Sequence, residues 1–290
     1  MAMDEIATIG ATITAIQSQR QNLFVIDEII VVSTTSTDGT DDAVRAIATG
    51  DARVKLVVEQ QRRGKIFSVV NFFSQAVNDV CVVLSADVTA APDCLGRLVS
   101  ELTRSDTIAM VGPQIISVPD GSKSSIATKL NVLLWQLHHE LALRDPKLGE
   151  LIAVRKSFMT DIPTIAGCDE VMLEAAAHSN GGAIVYVADA IVYNRCLTKL
   201  NELITVRRRI HAQHLRARQK LRYAPSSLKL ATVLSACLAL VRHSWRRAPL
   251  LVLLIFVEFA SRVQGALLVA RKVDTHTWQA TKSTRSHATR

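Results

Sequence analysis

Apolar and polar positions switch between two periods along the first 200 residues. Ile6, Ile9, Ile13 and Ile16 recur at helical spacing, so the chain is expected to open on a helix. EIIVVSTT (28–35) is a β-branched run closed by the turn signal STDGT, which predicts a strand. DDAVRAIA (41–48) has a helical pattern and VKLVVEQ (54–60) a second strand pattern. After RRGK, Ile66, Val69, Val70, Phe73 and Val77 mark a helix. VCVVLSAD (80–87) is almost continuously apolar and ends on an acid, the pattern of a buried parallel strand. Leu95, Leu98, Val99 and Leu102 predict another helix, and IAMVGPQII (108–116) another strand. A helical stripe covers 126–141, and AIVYVADAIVYN (183–194) reads as one or two strands. This alternation predicts an α/β fold with a mostly parallel sheet flanked by helices. In such sheets ligands gather at the carboxyl ends of strands, here 33–38, 60–65 and 85–87.

Charge divides the chain. Residues 1–200 hold 17 Lys and Arg against 23 Asp and Glu, whereas residues 201–290 hold 17 against 3. The overall +8 is therefore an acidic body joined to a basic C-terminal third. Seven Lys or Arg fall between 207 and 222, but stacking aromatics are scarce, which argues against a nucleic-acid partner. Five cysteines with no CxxC spacing favour a reducing compartment over a disulfide framework or a zinc site. MAMDEIATIG has no basic segment leading into an apolar run, so no signal peptide is expected.

The candidate chemistry follows from the strand ends. Asp87 closes the strongest strand, where a carboxylate suits a hard divalent cation bridging phosphates; a turn or helix-capping aspartate is the alternative. Gly64 and Lys65 lie between a strand and a helix, where backbone and amine favour an anion; a solvated basic turn is the alternative. His138 and His139 are adjacent and point about 100° apart on a helix, against a shared metal site and towards packing or acceptor contact. His211 and His214 follow the arginine cluster, as a late metal ligand or phosphate contact, or as part of a solvated basic helix.

In order along the chain, these segments resemble family-2 glycosyltransferases of the GT-A fold, over roughly residues 4–220. VVSTTSTDGTDDAV resembles the family's acidic turn, with Asp38 kept; GKIFSVVN resembles G-K-x-x-A-x-N, matched at Gly64, Lys65 and Asn71. LSADVTAAPDCL resembles the D-x-D metal motif, matched at Asp87; GCDEVML (167–173) stands at the catalytic E-D motif, and VRRRIHAQ (206–213) at Q-x-x-R-W, matched at Arg209. The resemblance implies a nucleotide-sugar donor and a Mg²⁺ or Mn²⁺ ion on Asp87. It implies Asp169 or Glu170 as catalytic base, with Asp38, Gly64, Lys65, Asn71, Arg207, Arg208 and Arg209 on the donor and its phosphates. Departures are Ser33 and Thr34 for the acids after the second strand, Ser85 for the first Asp of D-x-D, the order D-E, and Val206 and Ile210 in the arginine motif. The family's first strand has no counterpart ahead of the opening helix, so the enzyme is expected to be N-terminally truncated.

Beyond the body, 230–241 is too short to span a bilayer, and 248–270 is long enough, with Glu258 and Arg262 spaced to pair inside it. Basic residues flank that stretch on both sides, which suits a membrane surface; a hairpin packed on the body is the alternative. The expected organisation is a glycosyltransferase domain at 1–223, a hydrophobic helical region at 224–273 and a basic tail at 274–290. The expected function is an inverting transfer of sugar to a lipid or glycan acceptor at the cytoplasmic face of a membrane. A non-catalytic homologue acting as a membrane-associated subunit is the alternative, and a nucleotidyltransferase is a second enzymatic reading.

Overall fold

The computed structural model describes residues 1–119, 125–165, 168–221 and 223–274. Each predicted segment forms an element. The opening helix is α1 (Ile9–Gln17), followed by β1 (Ile29–Thr34), α2 (Thr40–Gly50), β2 (Val54–Glu59), α3 (Lys65–Gln75) and β3 (Val80–Leu84). A two-residue β4 (Thr89–Ala90) leads into α4 (Cys94–Leu102) and β5 (Ile108–Val118), then α5 (Ile126–Ala142) and β6 (Leu151–Arg155). The remainder is α6 (Asp169–Ser179), one long β7 (Ala183–Arg195), α7 (Leu200–Leu221), α8 (Leu230–His243) and α9 (Ala248–Ala270).

The sheet is mixed, not mostly parallel. β1 and β2 form a parallel pair, and the other five strands run in the order β3-β6-β5-β7-β4. Only β5–β7 is parallel there; β6 lies antiparallel between β3 and β5. One unexpected strand is β6, buried at four of its five positions, and it changes the character of β3. Instead of a parallel strand covered on both edges, β3 pairs antiparallel with β6, and its residues alternate between full and partial burial. The antiparallel register sets Leu84 opposite Leu151, so the start of β6 lies at the carboxyl end of β3.

Met1 and Ala2 lie in the seam between β1 and β3. Ala2 bridges Ser33 in parallel, exchanging backbone hydrogen bonds with Val32 O and Thr34 N, while the Met1 amino group donates to Leu84 O at 3.1 Å.

Apolar clusters occupy both faces of the larger sheet. Ile66, Val69 and Met172 from α3 and α6 meet Val83 and Val154 on one side; Leu95, Leu98 and Leu102 of α4 meet Val111 and Val192 on the other. Burial of such side chains contributes about 1.5–3 kcal/mol each. A separate cluster joins α5 and α7 to the C-terminal helices through Leu130, Leu133, Leu203, Leu240, Leu251 and Leu254. Residues 230–270 are therefore helices packed against the body. Helix α9 lies so close along α7 that a Cβ on Gly265 would come within 2.8 Å of the Arg208 carbonyl oxygen. The basic tail beyond residue 274 lies outside the described residues.

Candidate active site

One cleft of about 690 Å³ collects the ends of β3, α3, β6, α6 and α7. Gly64 enters α3 with φ of 109°, a backbone state that a β-carbon would strain, and delivers Lys65 to the helix's first turn. Lys65 Nζ donates to Ser85 Oγ at 2.9 Å and lies 3.0 Å from Asp169 Oδ2 and 3.8 Å from Glu170 Oε1. Burial opposes its charge, but the carboxylates of Asp169, Glu170 and Glu150 override burial and hold Lys65 firmly protonated.

Asp169 and Glu170 open α6, where helix polarity favours negative charge. Burial and the neighbouring Glu170 charge push Asp169 above the usual carboxylate range, against the pull of Lys65. Burial also acts on Glu170, but Lys65 and backbone hydrogen bonding outweigh it and hold Glu170 low. Cys168 Sγ donates to Glu170 Oε2 at 3.3 Å. The two carboxylates are thus pushed apart in basicity, as acid and base groups in active sites are.

Asp87 lines the cleft just past β3. Opposite it stands Glu150, which the sequence pattern did not single out. Its carbonyl accepts from Ser85 N at 3.0 Å, so the β3–β6 ladder extends one residue and sets Glu150 beside Ser85 and Asp87. Glu150 has a left-handed φ of 59°, and burial together with the Asp87 charge pushes its carboxyl up. Holding a non-glycine residue in that backbone state costs about 1–3 kcal/mol. The only local signal was an acid directly ahead of a short apolar run.

Among the described residues no three His, Cys, Asp or Glu side chains converge as a metal cage. Two hard carboxylates facing one cleft, one of them raised by its neighbour's charge, still fit a divalent cation completed by substrate phosphates.

The remaining expected site residues separate. Arg209 lines the cleft, where burial lowers its pKa against the opposing carboxylates of Glu170, Asp169 and Glu150. Arg207 also lines it, but its guanidinium is bound in bidentate fashion by Glu258 of α9 at 2.6 and 2.9 Å; His211 Nε2 contacts the same carboxylate at 2.8 Å. Glu258 therefore pairs with α7, not with Arg262, which donates to Ser227 O at 2.8 Å. Arg208 is outside the cleft lining.

Asp38 and Asn71 are outside it too, held in local contacts. Asp38 accepts from Thr40 N at 3.0 Å, Thr40 Oγ1 at 2.5 Å and Ile6 N at 3.0 Å, closing the turn into α2. Asn71 donates to Glu59 at 3.1 Å, beside Thr34 and Ser68, which donate to the same carboxylate. His138 and His214 face the cleft, whereas His139 contacts Tyr186 at 2.8 Å away from it.

The family comparison agrees with this architecture. Residues 2–160 match the model of Glycosyl transferase family 2, and the chain belongs to that family. Among solved structures it is similar to a mannosyltransferase from Pyrobaculum calidifontis in complex with GDP-Man and Mn²⁺. That pair shares 20% identity over 94% of this chain and 86% of the other, with a TM-score of 0.65, a likeness of fold. It is also similar to glucosyl-3-phosphoglycerate synthase from Mycobacterium tuberculosis in complex with Mn²⁺, UDP and phosphoglyceric acid. There the identity is 25% over 74% of this chain and 75% of the other, with a TM-score of 0.52. No curated protein matches the chain.

Proposed function

We propose that this protein is an inverting glycosyltransferase that moves a hexosyl group from a nucleotide-sugar to a hydroxyl of a lipid or glycan acceptor. The observation that carries this reading is the single cleft in which the Lys65–Asp169–Glu170 group faces Asp87 and Glu150. The GDP-Man, UDP and Mn²⁺ of the similar structures support a nucleoside diphosphate donor and a divalent ion.

Asp87 and Glu150 would hold Mg²⁺ or Mn²⁺, which when bound supplies positive charge to the leaving diphosphate. Lys65 and Arg209 add fixed positive charge to the same cleft. Asp169, the more basic of the carboxylate pair, takes the proton of the acceptor hydroxyl. Attack from the side opposite the diphosphate inverts the anomeric centre. Donor contacts from Asp38, Asn71 and Arg208 are not part of this assignment, because those side chains lie outside the cleft.

The domain assignment in this reading is a transferase body at 1–223, a packed and membrane-facing helical region at 224–273, and a basic tail at 274–290. Residues 245–270 form a helix long and apolar enough to cross a membrane, by length and composition. Spanning would drag the charged α7 into hydrocarbon, since Glu258 and Gly265 hold the two helices together. An in-plane position suits α9 better, with Val252, Phe256 and Phe259 exposed on one face and Arg246, Arg247, Arg271 and Lys272 at its ends. The cytoplasmic face is the side proposed, consistent with five free thiols among the described residues.

Release of nucleoside diphosphate from a panel of UDP- and GDP-sugars, with Mn²⁺ or Mg²⁺, tests the reading. Asp87→Ala is expected to abolish metal-dependent turnover, and unchanged turnover would remove Asp87 from the site. The internal pairing of Asp38 and Asn71 favours a second reading, a non-catalytic homologue acting as a membrane-associated subunit. Absence of any heat on titrating UDP and GDP with Mn²⁺ would select it.

A further inference from the structure

The cleft has a second end that the donor assignment leaves unused. There its walls come from α5, α7, α8 and α9, and His138 and His214 both line it. His214 is 1% exposed, and its Nε2 has no hydrogen-bond partner among the described residues; the Nε2 of His138 is likewise buried without one. On the other side of its ring, His214 Nδ1 meets Ser227 Oγ at 3.3 Å. With Nδ1 accepting from that hydroxyl, Nε2 carries the proton and becomes an unanswered donor.

Cationic side chains act on both rings at this end, beside the Arg207–Glu258 pair. Burial first, then the charge of Lys147, holds both imidazoles well below their ordinary range; Arg207 adds to this at both rings and Arg262 at His214. The His214 donor and the unpaired His138 Nε2 thus sit beside these cations with no hydrogen-bond partner among the described residues. Beyond them the wall turns apolar, with Leu134, Leu137, Val233 and Leu254 leading to Ile255 and Phe259. Those last two are 50% and 66% exposed and continue into the apolar face of α9. A small hydrophilic acceptor would leave that arm wet, whereas an alkyl chain would fill it.

We propose that this end of the cleft binds the phosphate of a lipid-linked acceptor, whose alkyl chain runs out between α8 and α9 past Ile255 and Phe259 to the membrane surface. The proposal rests on the transferase reading and narrows its acceptor to a long-chain lipid phosphate carrying a hydroxylated headgroup. The phosphate is the anchor and a headgroup hydroxyl is the nucleophile. As its oxygen bonds to the anomeric carbon, the bond from that carbon to the diphosphate breaks. The electron pair leaves with the nucleoside diphosphate, and the hydroxyl proton passes to Asp169.

The test uses the full chain and its intrinsic tryptophan fluorescence, since Trp135 lines the cleft and stacks edge-on against His138. Decyl phosphate, dodecyl phosphate, dodecanol and inorganic phosphate are titrated below their aggregation concentrations. Dodecyl phosphate is expected to bind at least tenfold tighter than dodecanol or inorganic phosphate. Each added methylene that enters the arm is expected to strengthen binding by about fourfold. His214→Ala and His138→Gln are each expected to weaken dodecyl phosphate about tenfold while dodecanol binding stays unchanged. Inorganic phosphate binding as tightly as dodecyl phosphate would overturn the proposal in favour of a small anionic acceptor. Equal affinity for dodecanol, or no loss in two folded histidine variants, would overturn the phosphate site. Nucleoside diphosphate titrated with Mn²⁺ on the same samples separates the two readings. Its retention alongside lost lipid-phosphate discrimination sinks this proposal alone, and its absence sinks the transferase.

Discussion

Lys65 Nζ stands 3.0 Å from Asp169 Oδ2, joining the first turn of α3 to the first turn of α6 across the floor of the cleft. The pair is buried, with side-chain exposures of 20% and 5%, so neither charge is well solvated without the other. Removing the amine leaves two adjacent carboxylates facing a cleft that already holds Asp87 and Glu150. Lys65→Met is expected to cost about 3–5 kcal/mol of stability, as the loss of one partner from a buried ion pair does. It is expected to lower turnover at least hundredfold, by analogy with removal of a positioned charge. Urea melts and nucleoside diphosphate release measure the two effects separately.

The pH profile assigns the base. Asp169 is held above the ordinary carboxylate range near about 4, so turnover through it falls on acidification well above that value. Burial and the charge of Glu170 raise Asp169. Glu170→Gln is therefore expected to shift the acid limb to lower pH while keeping measurable activity, and Asp169→Asn is expected to abolish turnover. An acid limb unmoved in Glu170→Gln, with activity kept in Asp169→Asn, would transfer the role to Glu170.

Glu174, one turn beyond the carboxylate pair on α6, is 1% exposed. It accepts from Leu148 N at 3.0 Å and from the Tyr223 hydroxyl at 3.1 Å, tying α6 to the loop that carries Glu150. Burial pushes its pKa from 4.5 to about 7, with Lys147 opposing. The folded chain binds this proton more tightly than the unfolded chain. The contribution to stability is therefore fully present below pH 4.5 and is lost as pH rises through about 7. That difference is on the order of 3 kcal/mol. Glu174→Gln keeps the acceptor for Leu148 and removes the charge, so it is expected to stabilise the protein above neutral pH and flatten its pH dependence. Denaturant midpoints at acidic and alkaline pH check this.

Gly265 sets the distance between α7 and α9. A Cβ there would lie 2.8 Å from Arg208 O and 3.0 Å from Ala212 N, both backbone atoms, so the helices must part to admit it. Gly265→Ala is expected to destabilise by about 1–3 kcal/mol, and a thermal melt would show a midpoint lowered by several degrees. Because Glu258 holds Arg207 and His211 across the same interface, the change is also expected to loosen the cleft wall and raise KM for the acceptor.

Periodicity and apolar runs were enough to place every element except β6, the two-residue β4, and the helices α6 and α7, whose segments were read from motif resemblance. Side-chain spacing records which face of a helix or strand is buried, and those faces are set locally. Lys65 and Asp87 were legible for a related reason: each follows the end of a strand, where a sheet of this kind presents its ligands; the Asp169–Glu170 pair was legible only through the resemblance to the family's motif. Strand direction leaves no such trace. An apolar run such as VCVVL reads the same beside a parallel or an antiparallel partner, and LIAVR is too short to distinguish from a loop that happens to be buried. The antiparallel return of β6 therefore came only with the tertiary structure, and it alone brought Glu150 to Asp87. Likewise Arg207, Asp38 and Asn71 carry groups suited to a phosphate or a nucleotide, yet nearer partners claim them. A polar side chain binds whichever complementary group folding brings first into reach, and the sequence determines only the chemistry of that side chain, not its neighbour.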